Sequence, residues 1–178
     1  YGLPLLLSSG VSTLGDIERA LSITGRDNVV LLHCITAYPA PETEYNLAVL
    51  ASLHTGLGVE VGLSDHSMDP VLVPVLAVLG GACVVEKHFT LSRLGRGLDD
   101  PIALEPPAFR AMVDAIREAE AGPAGALARL ERDYGADRVR AAQGNGRKAL
   151  APSEKANYTR TNRSIHAVAR IEKGRRIE

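Results

Sequence analysis

The chain has 178 residues, of which 46% are hydrophobic and 23% charged, so it can bury a core and is not a disordered polymer. Its formal net charge is −1, but residues 1–137 hold nine basic and 18 acidic side chains, whereas residues 138–178 hold 11 basic and three acidic. An acidic body argues against a nucleic-acid-binding domain, because such domains present a basic face. We interpret the basic tail as a solvated linker or a segment that docks on an acidic surface, in preference to a nucleic-acid arm.

The sequence also bears on where the protein works. We find no apolar run of about 18 residues that would span a membrane, and no signal peptide. The two cysteines, Cys34 and Cys83, do not make a disulfide framework, so we expect a reducing cytoplasm. Because the chain starts at Tyr1 and enters an apolar run at once, we expect it to be a fragment of a longer protein.

Four units follow one another along residues 1–121, each an apolar run followed by a helical pattern. The apolar runs are residues 3–8, 29–34, 59–64 and 82–88. A capping box of Thr13 and Asp16 predicts the start of the first helix, and Leu47, Leu50 and Leu53 mark the second. The clearest apolar face belongs to the fourth helix and is made of Phe109, Met112, Val113, Ile116 and Ala119.

The third helix contains prolines that make two specific predictions. We expect Asp69 to cap this helix and Pro70 to be its first residue. Pro74 would then lie inside the helix, where it should cost a hydrogen bond or produce a kink.

Strands that are apolar on both faces and alternate with amphipathic helices predict an α/β fold with a parallel sheet covered by helices. An open doubly wound sheet and a barrel both fit this pattern. Four units alone would leave two raw sheet edges, so we predict that residues 1–121 are the second half, the last four βα units, of a TIM (β/α)8 barrel. We interpret residues 122–160 as a linker with one short helical stretch around residues 127–134. Residues 161–178, with their turn at Lys173-Gly174, are interpreted as the truncated start of a second domain.

Polar residues are concentrated where the predicted strands end. The carboxyl ends of parallel strands face one crevice, and His66 and His88 end consecutive strands, so both imidazoles are placed to reach one small object. Two imidazoles suit Mn²⁺, Fe²⁺, Co²⁺ or Zn²⁺, and we favour a metal site over two separate buried hydrogen bonds. Cys34 beside His33 is interpreted as core packing, because adjacent strand residues point to opposite faces.

Two further segments invite an anion-binding interpretation. Ser8, Ser9 and Gly10 precede a helix N-terminus, whose free N–H groups favour phosphate, although a simple capping turn explains them equally well. Residues 144–148 (GNGRK) lack the spacing and the preceding strand of a phosphate-binding loop, so we interpret them as an ordinary loop.

Three blocks of the sequence resemble the sialic acid synthase family, which includes N-acetylneuraminate synthase and the legionaminic, pseudaminic and spore-coat polysaccharide synthases. The blocks are residues 33–41 (HCITAYPAP), 62–67 (GLSDHS) and 86–90 (EKHFT). Their order and spacing agree with the family, as do residues 97–99 and 163–165. The resemblance covers nearly the whole chain. It implies a barrel followed by a small antifreeze-like (SAF) domain, of which residues 161–178 would be the first strand and turn.

The resemblance also implies an activity and a set of site residues. Members condense phosphoenolpyruvate with an N-acetylated hexosamine, typically N-acetylmannosamine, to give a nine-carbon 2-keto acid and phosphate. A divalent metal, Mn²⁺ first with Mg²⁺ or Co²⁺ as alternatives, would be bound by His66 and His88. The remaining positions are Thr36 and Ser64 at phosphoenolpyruvate, Tyr38 and Asp99 at the sugar, and Glu86 as a partner that orients a ligand or water. A homodimer is implied for the full-length protein, with neither nucleic acid nor membrane as a partner.

The sequence departs from the family pattern in ways that affect specificity. Thr36 stands where some members have Asn, and Leu98 where a Pro commonly precedes the Asp. The first four strands, with the lysines expected on phosphoenolpyruvate, lie outside this sequence, as does the SAF-domain arginine. We therefore expect the fragment alone to be inactive.

Two rival functions remain compatible with the residues. One is a barrel aldolase that uses Lys87 as a Schiff base. The other is a non-catalytic carbohydrate-binding or assembly module whose basic tail docks on an acidic partner.

Overall fold

The computed structural model describes residues 2–160 and 168–176. Its centre is a four-stranded sheet in the order β1-β2-β3-β4, in which each strand runs parallel to the next. The strands are β1 (Leu5–Ser8), β2 (Val29–Cys34), β3 (Glu60–Asp65) and β4 (Val85–Lys87). The helices are α1 (Leu14–Thr24), α2 (Val49–Leu57), α3 (Leu72–Leu79), α4 (Pro106–Ala121), α5 (Pro123–Tyr134) and α6 (Ala136–Gln143), with short 3₁₀ turns at Glu42–Glu44, Asp100–Ile102 and Pro152–Glu154.

The predicted α/β architecture is confirmed as a half-barrel of four consecutive βα units. Each of the four apolar runs contains a strand, and each strand is followed by a helix. Strands that are neighbours in the sheet are also consecutive in the chain. The register sets Cys34 beside Ser64 and Ser64 beside Glu86. The carboxyl ends of β2, β3 and β4 therefore meet at one edge of the sheet, as the sequence predicts.

The core lies between the two central strands and the helices that cover them. Leu31 in β2 and Leu63 in β3 are completely buried, and Leu72, Val73, Pro74, Val75, Leu76 and Ala77 make α3 apolar nearly all round. The outer strand β1 is different, because Leu5 and Leu6 are 40% and 50% exposed. The prediction of two buried faces is thus correct for β2 and β3 but wrong for β1 and for β4, each of which has a neighbouring strand on one side only.

The start of α1 is as predicted, whereas that of α3 is not. Thr13 and Asp16 form a reciprocal capping box at α1. The helix α3 begins at Leu72, two residues after Pro70, although Asp69 Oδ1 still accepts hydrogen bonds from the backbone N–H groups of Val71 and Leu72. Pro74 therefore lies in the first turn, where backbone N–H groups have no partner within the helix, so the predicted loss of a hydrogen bond does not occur.

The interpretation of residues 122–160 as a linker is wrong. The segment contains α5 and α6, which bury Ala126, Leu130, Val139 and Ala142 in the same core as the sheet. Glu154 is completely buried. The error arises because small alanine side chains, which form no conspicuous apolar stripe, make up much of the contact between these helices and the core.

The predicted start of a second domain falls largely outside the described residues. The strand expected around Ile165 and Ala167 lies in residues 161–167, which the structure does not describe. The predicted turn at Lys173-Gly174 is present, with the Arg175 N–H donating to the carbonyl of Glu172 at 3.1 Å. In the described part of the chain, no helix has both the length and the apolar character required to cross a membrane.

Candidate functional site

A buried carboxylate organises the end of strand β3. Asp65 accepts hydrogen bonds from the Tyr45 hydroxyl at 2.7 Å, the Ser67 backbone N–H at 2.8 Å and the Ser67 hydroxyl at 3.1 Å. The Lys87 ammonium, in the paired position of β4, forms an ion pair with Asp65 at 2.7 Å and also donates to the Ser67 carbonyl. The carboxylate thus accepts four hydrogen bonds, which compensate for the burial of the Asp65 and Lys87 charges.

This network fixes the backbone of His66. The Tyr45 hydroxyl, which donates to Asp65, accepts a hydrogen bond from the His66 N–H at 2.7 Å. Burial, followed by the nearby Asp65 charge, raises the pKa of Tyr45, so the hydroxyl remains a donor. The His66 Nδ1 lies 2.8 Å from the carbonyl of Ile35. Because a carbonyl only accepts, Nδ1 carries a proton, and in the neutral imidazole the lone pair is on Nε2.

Three rings meet in front of this network. The ring centroids of His66 and His88 are 5.2 Å apart, and the ring of Tyr38 lies 4.2 Å from His66 and 5.8 Å from His88. His66 is buried, whereas Tyr38 is 52% exposed at the mouth of the site. Asp99 Oδ2 lies 3.7 Å from His88 Nδ1. The structure therefore brings together four of the seven predicted site residues, from four separate segments of the chain.

The spacing of the two histidine rings is compatible with two ligands on one metal ion. A metal–nitrogen bond of about 2.1 Å places two imidazole centroids at adjacent coordination positions about 5 Å apart, which matches the 5.2 Å observed. The hydrogen bond from His66 Nδ1 to a backbone carbonyl is the orienting contact that ligating histidines usually make. Within residues 2–160 and 168–176, no group of three or more His, Cys, Asp or Glu side chains is arranged to hold a metal. Any further ligands would therefore come from water, substrate or other residues.

The other three predicted residues lie beside this centre. The Ser64 hydroxyl donates to Glu86 Oε1 at 2.6 Å, as expected for adjacent positions on β3 and β4. These two residues and His88 line a small cavity together with Asp65 and Lys87. Thr36 lies after β2, and its hydroxyl is 3.8 Å from the sulfur of Cys34.

The turn after β1 packs tightly against Thr36. The Ser9 hydroxyl donates to the Leu32 carbonyl at 3.0 Å, and the Ser8 hydroxyl accepts from the Gly10 N–H at 3.4 Å. A Cβ atom at Gly10 would overlap the Thr36 hydroxyl, so a glycine is required where the two loops approach each other. The turn thus contributes backbone atoms to the same crevice.

Cys34 has the environment of a packed residue. Its thiol is buried, which raises its pKa, and both cysteines are free. The sulfur lies 3.9 Å from His66 Nδ1, but that nitrogen gives its proton to Ile35, so it is not available as a base. The adjacent His33 contacts the Tyr45 carbonyl through Nε2 at 2.6 Å, and not the Cys34 thiol. The structure agrees with core packing for Cys34.

Lys87 is poorly suited to forming a Schiff base. Its amine is completely enclosed between Asp65 and the Ser67 carbonyl, with 1% of the side chain exposed. A Schiff base requires an amine that reaches the substrate, whereas this amine is held by the Asp65 carboxylate and the Ser67 carbonyl. This environment argues against the aldolase hypothesis.

Three residues of the site were missed by sequence reasoning. Tyr45 supports His66, and Glu154 accepts hydrogen bonds from the loops after β1 and β2. Lys148 reaches the same end of the sheet, with Nζ 3.4 Å from the Ser9 carbonyl, and burial lowers its pKa. The sequence did mark Glu154 and Lys148 as unusual, because Glu154 is an isolated acidic residue in a basic segment. It did not identify the residues that contact them.

Comparisons with known proteins show what this chain is similar to. Residues 1–125 match the model of the NeuB family. The chain is 35% identical over 175 residues to an N,N'-diacetyllegionaminic acid synthase of Campylobacter jejuni, covering 96% of this chain and 46% of the relative. It is 30% identical over 183 residues to an N-acetylneuraminate-9-phosphate synthase of Drosophila melanogaster, covering 99% and 49%. The crystal structure of the spore coat polysaccharide biosynthesis protein SpsE of Bacillus subtilis superimposes with a TM-score of 0.70 at 30% identity, covering 85% of this chain and 42% of that one. The chain thus spans about half the length of these relatives.

Proposed function

Because the chain belongs to the NeuB family, we propose that it is the C-terminal half-barrel of a synthase that joins phosphoenolpyruvate to an N-acetylated hexosamine. Carbon 3 of phosphoenolpyruvate would form a bond with the aldehyde carbon of the open-chain sugar, and water would add to carbon 2. Loss of phosphate from the resulting intermediate would give a nine-carbon 2-keto sugar acid. The observation that carries the proposal is the pair of histidine rings 5.2 Å apart, with the Nδ1 proton of His66 held by a carbonyl.

In this proposal His66 and His88 hold a divalent ion, Mn²⁺ by preference and otherwise Mg²⁺ or Co²⁺. A bound ion acts as a Lewis acid that polarises the aldehyde oxygen. The chain's own contribution is to keep the buried His66 imidazole oriented, through Tyr45 and Ile35, and to place the Asp99 carboxylate 3.7 Å from His88 Nδ1.

The polar residues around the pair would divide the two substrates between them. Thr36 and Ser64 lie at the strand ends, where phosphoenolpyruvate would bind. Glu86 accepts a hydrogen bond from the Ser64 hydroxyl, which leaves the lone pairs of that hydroxyl free to accept from a substrate. The remaining lone pairs of Glu86 can orient a water. Tyr38 and Asp99 lie at the exposed mouth, where a sugar rich in hydroxyl groups would be recognised.

Phosphate release tests the proposal. With Mn²⁺, phosphoenolpyruvate and N-acetylmannosamine, the full-length protein should release phosphate. Comparison of this rate with the rate measured with a di-N-acetylated hexosamine identifies the preferred sugar. The 178-residue chain alone should show no sustained turnover, because the first four strands of the barrel would be missing. Absence of phosphate release by the full-length protein with every hexosamine would refute the proposal. Light scattering of the same sample tests the proposed homodimer.

The histidines separate this proposal from a non-catalytic binding module. A module that only holds a carbohydrate should keep its affinity after both His66 and His88 are replaced by Ala. The synthase proposal requires that these changes abolish Mn²⁺-dependent phosphate release.

A further inference from the structure

Glu154 is a completely buried carboxylate with no place in the reaction proposed above. Its Oε1 accepts hydrogen bonds from the backbone N–H groups of Val11 at 2.7 Å and Thr36 at 2.9 Å. Its Oε2 accepts from the N–H of Ala151 at 3.1 Å. Three charge-assisted hydrogen bonds of this kind account for the burial of the charge.

The two bonds to Oε1 join the loops that follow neighbouring strands. Val11 lies in the turn after β1, and Thr36 lies in the loop after β2. A single oxygen atom that accepts from both N–H groups fixes the distance between the two backbones. Close packing of Gly10 against the Thr36 hydroxyl indicates that these loops have little freedom to shift relative to each other.

We infer that Glu154 is a positioning residue for the anionic substrate, because it holds together the two strand-end loops that would contact phosphoenolpyruvate. This inference rests on the proposed function, which assigns Thr36 to phosphoenolpyruvate. The family match ends at residue 125, so Glu154 adds to the barrel a residue from outside the matched region.

The charged neighbourhood of Glu154 agrees with an anion site. Lys148 lies near Glu154 and Ser9, and the Glu154 charge partly opposes the lowering of the Lys148 pKa by burial. Among the described residues, Lys148 forms no ion pair within 4.0 Å, so its ammonium is not neutralised by direct contact. A cation held at the end of β1 and β2 attracts a phosphate or carboxylate group.

The geometry of the two bonds distinguishes two conservative variants. Glu154→Gln keeps an Oε1 that can accept from Val11 and Thr36, whereas Glu154→Asp withdraws the carboxylate by one methylene. In the full-length protein, we expect Glu154→Asp to raise the Kd for phosphoenolpyruvate, measured by titration calorimetry, about tenfold or more. Glu154→Gln should change it less than about threefold. In kinetic assays, the KM for the hexosamine should stay within about twofold for both variants.

Two further variants complete the test. Gly10→Ala forces the same loops apart without altering Glu154, so it should weaken phosphoenolpyruvate binding even if Glu154→Asp fails to fold. Glu44→Ala is the matched control, because the Glu44 carboxylate accepts hydrogen bonds from the N–H of the neighbouring Ser153 at 3.0 Å and from the Ser153 hydroxyl at 2.6 Å, whereas the N–H groups of Val11 and Thr36 donate to Glu154. It should lower the melting temperature without changing the affinity for phosphoenolpyruvate.

The outcomes separate this inference from the function on which it rests. An unchanged Kd in Glu154→Asp or in Gly10→Ala, or an equal effect in Glu44→Ala, would overturn the inference. Equal rises in the KM of both substrates would also overturn it, since they would indicate general loss of structure. If the wild-type protein binds phosphoenolpyruvate but releases no phosphate, only the proposed condensation fails; if it binds none, both fail.

Discussion

Removal of one hydroxyl group, in Tyr45→Phe, tests the buried network behind His66. The hydroxyl donates to Asp65 at 2.7 Å and accepts from the His66 N–H at 2.7 Å, and the residue is completely buried. In the variant, Asp65 Oδ1 retains the Ser67 N–H, but the His66 N–H loses its partner where water has no access.

The structure allows an estimate of the cost. A buried donor left without a partner costs about 1–3 kcal/mol, and a hydrogen bond to a charged group contributes about 1.5–3 kcal/mol. Because Asp65 keeps its other donors, we expect the free energy of unfolding to fall by about 3 kcal/mol. Equilibrium urea denaturation measures this change by linear extrapolation.

Tyr134→Phe is the matched control for this experiment. The Tyr134 hydroxyl donates to Asp69 at 2.9 Å, but it is only partly buried, and Asp69 also accepts from two backbone N–H groups. Its removal should cost about 1 kcal/mol or less. A free energy of unfolding for Tyr45→Phe within about 0.5 kcal/mol of the wild-type value, or an equal loss in both variants, would contradict a role of the Tyr45 hydroxyl in holding His66.

Three other expectations follow from the site and its surroundings. His66→Ala in the full-length protein should abolish Mn²⁺-dependent phosphate release, whereas His54→Gln, on α2, should leave it unchanged; equal activity of both variants would argue against a metal at this position. Burial, followed by the charge of Lys148, lowers the pKa of His33 from 6.5 to about 4. As the pH falls, His33 is therefore protonated in the unfolded state before it is protonated in the folded state, and the free energy of unfolding decreases between pH 6.5 and pH 4. Between pH 7 and 4.5 this contributes about 2–3 kcal/mol, and urea denaturation should show that His33→Gln loses less stability over this range than the wild type does. In the native chain, iodoacetamide should label the exposed Cys83 and spare the buried Cys34, a result that mass spectrometry of peptides reads directly; prior labelling of Cys34 would contradict the packing described.

The strands and the histidine pair could be predicted because local pattern and chain direction determine them. Apolar runs identify parallel strands, and the ends of such strands must meet, so His66 and His88 are neighbours whatever the surrounding detail. Tyr38 lies nearby for the same reason, because it follows β2, the strand that pairs with β3 on the other side.

The supporting residues could not be predicted because their partners are distant in sequence. Glu154 contacts Val11 across 143 residues and Thr36 across 118 residues, and no local pattern encodes such a pairing. The helical stretch predicted at residues 127–134 lies within α5. Its packing on the core, and the helix α6, were missed for a related reason, since Ala126 and Ala142 become core residues only when their helices lie against α3. The start of α3 was misplaced because Pro70 and Pro74 are both compatible with a first helical turn.

The buried Glu154 has a practical consequence for anyone who expresses this half-barrel. A recombinant version ended at residue 125, where the family match stops, would discard the acceptor that the N–H groups of Val11 and Thr36 require. It would also expose to solvent the apolar surface of α3 that α5 and α6 cover. Such a product should collect in inclusion bodies, whereas one that continues through residue 160 retains both the acceptor and the helical cover.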